Sequence, residues 1–467
     1  MNSIIDLLDL EDPDIFISDV KIDGQTKIVT LETHPAQHFC PQCGFRMHSR
    51  GIKQRTINHP VMQDSYRLQL LLKQRRWRCT NPECLYEMNE SFRFVNKYRR
   101  NTNATDLLII EAFRDLNITA AAVARKFSLS DTQVLDVFDR YVKLDRLPLT
   151  DAISVDEVHV DMDRNCKYAL IIQDFYTGEP IDMLRSRRSE ITEPYFAAIP
   201  KEERLKVKYL ISDMYNQYIQ YVNRYFPNAV PVVDSFHVIQ WLIRQLENFI
   251  RELLKRFKER DRVRQAQLSM DLHREVKLPL SDEVYLLQNY RWVLLKNQKS
   301  ITYYQNPVFD HHFRYFMNTY DYERKFFDIN PHLKEMREFK EMYINFNDRH
   351  AGDPEGASKQ LDWLISFYLN CGNGIFAEFA RLLQKYHDPI INSFVMVSKT
   401  GPGGLYDARL SNGPIESINR KVKDLKRMGR GFRNFEHMRN RFLFATRNNP
   451  VINGSPDASP IQYFDNN

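Results

Sequence analysis

Apolar positions along this chain repeat with two different periods, and the change of period divides it. In "SYRLQLLLKQRRWRC" (residues 65–79) they alternate, as in a half-buried strand, and the first hundred residues keep that texture. From 101 to 148 they recur at helical spacing in short runs that stop at "DRLPLT". Short strands dominate 151–236: "ISVDEVHV", "KYALIIQDF", "PIDMLRSRR", "VKYLISDM" and "AVPVVDSF". Residues 237 to about 445 read as helices, with Trp241, Leu242, Leu246, Phe249, Ile250, Leu253 and Leu254 at helical spacing. One glycine-bearing loop, "SKTGPGGLYDARLSNGP", interrupts them. The end, "NNPVINGSPDASPIQYFDNN", has turn formers without periodicity and reads as a mobile tail. No internal repeat is visible.

The strand-rich segment carries the first candidate chemistry. Three hairpin-linked strands, a short helix ("EITEPYFAAIP"), a strand, a helix and a strand form the order of an RNase H-like α/β core. Alternation puts Ile153 and Val155 on one face of their strand and Asp156 on the other. An acid among β-branched residues is unfavourable unless it serves something. Asp213 ends another apolar strand just before a helix, where α/β folds place their sites. Each has a plainer reading: Asp156 with Glu157 as a solvated edge, Asp213 as a helix cap. Together, in this strand order, the two aspartates meet. Their repulsion would raise one pKa, and Mg²⁺ or Mn²⁺ would relieve it. Two such ions about 3.5–4 Å apart activate a water or 3′-hydroxyl and stabilise the leaving oxygen of a phosphodiester.

A third carboxylate fits that site. Gly413 and Pro414 make a helix start, and Glu416 lies in the first turn with Asn419, Arg420, Lys423 and Arg427 on its face. The cations would hold the DNA backbone beside the metal. "GRGFRNFEHMRNR" extends that grip with Arg430 and Arg433, while Phe432 and Phe435 anchor the helix. Asp234 and His237 in "VVDSFHVIQ" read as a local cap or, with Asn419, as supports behind the metal ligands.

Two motifs lie upstream. Cys40 and Cys43 (C-x2-C) and Cys79 and Cys84 (C-x4-C) sit on tight turns and suit a structural Zn²⁺ ion in a small ribbon, against incidental thiols or a disulfide. Lys73, Arg75, Arg76 and Arg78 beside Trp77 would give that ribbon a phosphate-contacting face, or a merely solvated one. "NITAAAVARKFSLSDTQVLDVFDRYV" fits a helix-turn-helix with Thr119 as cap. Asp131, Thr132 and Gln133 would then enter the major groove. Cys166 and Cys371 read as small hydrophobes.

Composition sets limits rather than choosing a function. The 467 residues suffice for two to four domains, and 43% hydrophobic with 27% charged residues is ordinary globular usage. A net charge of +6 permits a nucleic-acid partner without demanding one. No apolar run is long enough to span a membrane, and the start, "MNSIIDLLDLEDPD", is acidic where a secretory signal is basic. A cytoplasmic, nucleoid-associated protein is expected.

These motifs resemble bacterial insertion-sequence transposases of the DDE type, of the ISL-three family. "ISVDEVHV", "ISDMYNQY", "PNAVPVVDSFHV" and above all "SNGPIESINRKVKDLKRMGRGFRNFEHMRNR" carry the resemblance, which spans nearly the whole chain. It implies a multidomain α+β protein: a zinc-binding ribbon (1–100), a helix-turn-helix (101–148) and an RNase H-like core (149–236). An all-α insertion (237–400), a final core segment with Glu416 (401–447) and the tail (448–467) follow. It further implies an Asp156, Asp213, Glu416 triad with Mg²⁺ or Mn²⁺, and double-stranded DNA at transposon ends and target as partner. A homodimer or larger synaptic assembly is expected. Tyr215 stands where the family often has Trp. A DNA-binding regulator or a structure-specific nuclease on the same core are the alternatives.

Overall fold

Alternation in the first hundred residues resolves into β1 (Ile15–Asp23), β2 (Thr26–Thr33), β3 (Met47–Asn58), β4 (Arg67–Cys79) and β5 (Glu87–Asn89). They form one sheet, β1-β2-β4-β3, with β5 also on β4. The computed structural model describes residues 8, 10, 12–60, 67–163, 166–401, 403–429 and 431–455. β4 changes its buried side midway. Leu68, Leu70 and Leu72 join Leu31 and Ile57 in one core, whereas Trp77 and Cys79 join Cys40 and Met47 in another. Successive strand residues face opposite ways, so Lys73 and Arg75 leave one side and Arg76 and Arg78 the other. The single cationic face expected from the sequence does not form. Lys73 is instead bonded to Glu32 at 2.8 Å, and Arg78 lies 3.6 Å from Glu87.

Three helices follow: α1 (Asn103–Ala112), α2 (Ala120–Phe127) and α3 (Asp131–Tyr141). Thr102, Thr119 and Ser130 cap them in turn. Ser128, at φ 54°, reverses the chain between α2 and α3. The next strands and helices are β6 (Ala152–Asp163), β7 (Cys166–Asp174), β8 (Pro180–Leu184), α4 (Ser189–Ala198), α5 (Lys201–Arg204), β9 (Tyr209–Ser212), α6 (Asn216–Tyr225) and β10 (Val230–Val233). Their sheet runs β10-β9-β6-β7-β8. β9 and β10 run parallel to β6, while β7 is antiparallel to both β6 and β8.

The long segment after β10 is mostly helical: α7 (Ser235–Asp271), α8 (Asp282–Asn289), α9 (Trp292–Leu295), α10 (Thr319–Asp328), α11 (Pro331–Arg349), α12 (Pro354–Asn370), α13 (Gly374–Lys385) and α14 (His387–Asn392). Leu242, Leu246, Ile250, Tyr343, Leu361 and Phe379 form its core. It is not all-α. Between α9 and α10 lies a hairpin, β11 (Val308–Asp310) with β12 (Tyr315–Met317), turned by Asp310, whose Oδ1 accepts the backbone N–H groups of His312 and Phe313. The expected glycine loop is likewise a hairpin, β13 (Met396–Gly401) with β14 (Gly404–Arg409). Its glycines serve the reversal, where Gly404 adopts φ 106°. Helices α15 (Gly413–Met428) and α16 (Phe435–Thr446) complete the chain's regular structure.

Two apolar layers sandwich the central sheet. On one side Ile153, Val155 and Leu210 pack on Phe196 of α4 and on Tyr218 and Val222 of α6. On the other, Val158, Val160 and Ile171 share one core with α1–α3, α15 and α16. Buried arginines lock this second layer. Arg441 donates to the carbonyls of Asp115 at 2.7 Å and Ile118 at 3.2 Å, and Arg447 to those of Asp145 and Pro180 at 2.8 and 3.1 Å. The start of the expected mobile tail is held too. Asn453 N–H bonds Lys143 O at 2.9 Å and Gly454 N–H bonds Tyr141 O at 3.1 Å. A Cβ on Gly454 would come within 2.0 Å of Arg140 O, so only glycine fits there. Residues 456–467 of that tail lie outside the described residues.

Phe138 joins the two ends of the second layer, its ring 4.9 Å from Phe113 and 5.9 Å from Phe444. Phe138→Ala should remove about 3–5 kcal/mol of stability. In chemical denaturation, α1–α3 and α16 should lose structure in one transition shifted to lower denaturant.

Candidate active site and metal centre

The parallel strands β9 and β10 end together beside β6, which runs on past them. β6 pairs with β9 in the register Ser154↔Ile211, which, two residues further on, brings Asp156 level with Asp213. β9 pairs with β10 in the register Ser212↔Val233, and Asp234 N–H reaches back to Ser212 O at 3.3 Å. Asp156, midway along β6, thus lies beside Asp213 and Asp234, which follow directly on the C-terminal ends of β9 and β10, the position where α/β sheets gather their sites. Sequence alternation holds at Asp156: it shares the face of Val158 and Val160, toward α15. Its Oδ2 accepts from Asn419 Nδ2 at 2.8 Å and its Oδ1 from Glu157 N–H at 2.7 Å. Asn419 is thus buried against the sheet rather than aligned with the cations of its helix.

Burial, reinforced by the charges of Asp213 and Glu157, pushes the Asp156 carboxyl up to about 6. Burial also raises Asp213, again with Glu157 opposing ionisation. Asp234, 3% exposed, is raised by burial and by Glu416. His237, in the first turn of α7, is the charge that favours ionisation of all three aspartates. Glu416 enters from α15, whose first turn is fixed by Glu416 N–H bonding Asn412 O at 3.1 Å. Ligand atoms of Asp234, His237 and Glu416 all lie within 4.8 Å of one another. The sequence reading placed Asp234 and His237 behind the ligands; the fold brings them level with Glu416.

Sequence reasoning treated Glu157 only as part of a solvated edge. Its side chain faces the α6 side, accepts from Tyr218 OH at 2.6 Å and pairs with Arg187. The Arg187 guanidinium lies over the rings of Tyr168 and Tyr215, 5.2 and 5.4 Å from their centroids. The signal in the sequence was the Asp-Glu pair itself, since adjacent strand residues must face opposite sides.

The proposed DNA-facing residues fall into groups. Arg420, Lys423 and Arg433 are exposed, and so is Arg427, which also pairs with Asp424 at 3.2 Å. Arg430 lies outside the described residues. Further along "GRGFRNFEHMRNR" the grip ends, because Arg439 turns inward to Asp182 at 2.8 Å and Arg441 is buried. Phe435 is buried in the second layer with Phe432 against it. Asp131, Thr132 and Gln133 are exposed at the start of α3. Gln133 also closes a capping box with Ser130. Asp131 and Arg433 line one cleft of about 790 Å³ between α2, α3 and the 425–441 segment.

The four cysteines converge. Cys40 and Cys84 sulfurs are 3.6 Å apart and those of Cys43 and Cys79 are 3.4 Å apart, and all four lie within 4.8 Å. A tetrahedron with Zn–S bonds of about 2.3 Å has edges of about 3.8 Å, so the set fits zinc. Backbone N–H donation from Phe45 lowers the Cys43 thiol to about 7, while burial pushes Cys79 up to about 12. Cys166, buried, and Cys371 both donate to carbonyls, of Arg185 and Tyr368. Among the described residues no helix is long and apolar enough to cross a membrane.

Elemental analysis should find about one zinc per chain, lost in Cys79→Ser. A second expectation concerns Asp156. Its folded pKa is raised from 3.8 to about 6, so its contribution to stability is full below pH 4 and lost as pH rises through 6. Without added divalent ions, Asp156→Asn should therefore gain on the order of 2 kcal/mol at pH 7.5. That gain should vanish near pH 4 in a Tm series.

The chain is similar to known transposases. A family model described as Transposase, of the ISL3 DDE type, matches residues 153–442. The chain is 22% identical over 285 residues to the transposase for insertion sequence element IS1001 of Bordetella parapertussis, covering 60% of this chain and 63% of that protein. It is 22% identical over 319 residues to the transposase for insertion sequence element IS1557 of Mycobacterium tuberculosis, covering 67% of this chain and 62% of that protein. It thus spans less than two thirds of the length of these relatives. The matched residues include Asp156, Asp213, Asp234, His237 and Glu416. By that match, the chain belongs to the ISL3 family of DDE-type insertion-sequence transposases.

Proposed function

We propose that this chain binds the terminal inverted repeats of an insertion sequence and carries out metal-dependent cleavage and strand transfer at its ends. The observation that carries the reading is the convergence of Asp156 and Asp213 on adjacent strands, tied to the Glu416 helix through Asn419. The strand order, with the second strand antiparallel, supports reading the sheet as an RNase H-like core. The cysteine ribbon and α1–α3 are the end-recognition modules, with the start of α3 as the groove-reading element. The helical segment 237–400 is an insertion in the core. Soluble double-stranded DNA is the substrate, and two ends require at least a dimer.

Asp156, Asp213 and Glu416 would hold Mg²⁺ or Mn²⁺, which would supply Lewis-acid chemistry for phosphodiester cleavage and transfer. The buried carboxyls of Asp156 and Asp213, both raised by burial, fit that role. Asn419 fixes the Asp156 carboxylate by donating to one oxygen, leaving the other toward the Glu157 N–H. Glu157 and Tyr218 hold Arg187 at the edge of the site, where its remaining donors can meet a phosphate. Arg420 and Lys423 steer the backbone of the same duplex. In-line attack needs no covalent enzyme intermediate, so no Ser or Tyr nucleophile is invoked.

Asp156→Ala, Asp213→Ala and Glu416→Ala should each abolish cleavage and joining of a repeat-bearing duplex while leaving its binding intact. Near wild-type joining by any one of them would remove that residue from the site, and hydrolysis without joining in the wild type would favour a nuclease.

A further inference from the structure

Asp234, His237 and Glu416 come from the end of β10, the first turn of α7 and the first turn of α15. Their ligand atoms lie within 4.8 Å of one another, and two of the three residues are carboxylates. An acidic cluster alone would mean little. Here, however, buried polar groups beside it lack partners. His237 Nε2 is buried and makes no hydrogen bond. Asn412 is fully buried, precedes α15, and leaves both its side-chain oxygen and nitrogen unpaired. An unpaired buried polar group is costly, so the bare imidazole nitrogen within the trio itself points to a ligand. Donors around an octahedral ion with bonds of about 2.1 Å lie about 3.0 Å apart when adjacent and about 4.2 Å when opposite. Small side-chain rotations bring the trio into that range.

We propose that Asp234, His237 and Glu416 together hold one divalent ion, and that the imidazole makes this position take Mn²⁺ in preference to Mg²⁺. Imidazole nitrogen suits first-row transition ions, whereas Mg²⁺ favours oxygen ligands and water. Asp156 and Asp213 then serve the other ion of the pair. The inference rests on the reading of Glu416 as a metal ligand and goes beyond it by assigning the donors that accompany it.

The test uses the full chain carrying Asp156→Asn and Asp213→Asn together, which removes the other acidic pair, with Mn²⁺ alone as the probe. Titration followed by electron paramagnetic resonance should show one bound Mn²⁺ per chain. Pulsed measurements should show a ¹⁴N coupling from a directly bound imidazole. Adding His237→Gln should abolish the coupling and weaken Mn²⁺ binding at least tenfold, while Asp234→Asn should weaken binding but keep the coupling. Mg²⁺ should displace the ion only at more than tenfold excess. No ¹⁴N coupling in the double variant, or unchanged binding after His237→Gln, would overturn the proposal. The double variant retains His237, so the coupling measurement stands even where a further substitution fails to fold. Loss of cleavage in the Glu416→Ala protein is read independently, so a failure of the transposase reading is not confused with a failure of this site.

Discussion

Parallel pairing of β6, β9 and β10 sets Asp156, Asp213 and Asp234 side by side, where burial and neighbouring carboxylates oppose ionisation. No local interaction would choose that arrangement. It holds because the sheet beneath is packed on both faces, by α4 and α6 on one side and by α1–α3, α15 and α16 on the other. β6 embodies the compromise: Ile153 and Val155 bury toward one layer, Val158 and Val160 toward the opposite one, and the Asp156–Glu157 pair occupies the changeover. A site of this kind stores unfavourable electrostatics that a cation can release, which is how ion binding and catalysis become linked.

The long helical segment is part of that constraint rather than an ornament on it. It leaves the sheet at Asp234 and returns just before Glu416, so both of its ends are in the site. Its last helices also grip the loop after Asp213. Tyr386 OH donates to Met214 O and Asn216 Oδ1, each at 2.9 Å, and Asn392 donates to Pro231 O at 2.9 Å. A displacement of this segment would move the neighbours of three acids at once.

Much of this was legible in the chain. The period of two in "ISVDEVHV" and "VKYLISDM" marked strands that the fold forms, and Thr119 marked a helix start that it uses. Cysteine spacing foretold a cluster because short loops confine thiolates. What stayed hidden depends on pairing across long separations. Nothing near Lys73 signals that β4 switches cores after Gln74, so its four cations looked like one face. The segment "GRGFRNFEHMRNR" read as one basic grip because sequence cannot distinguish an arginine facing solvent from one, such as Arg439 or Arg441, facing internal acceptors. The nearness of His237 to Glu416 required closing a loop of well over a hundred residues, and no local period carries that information.

The layer beneath the sheet draws on Ile109 and on Phe444, more than three hundred residues apart in the chain. A ribosome making this protein therefore exposes α1–α3 long before the helices that cover them exist. Until α15 and α16 emerge, α1–α3 lack much of their floor and the strand acids lack Glu416. A chain ended before them leaves both the second layer and the acidic cluster unfinished.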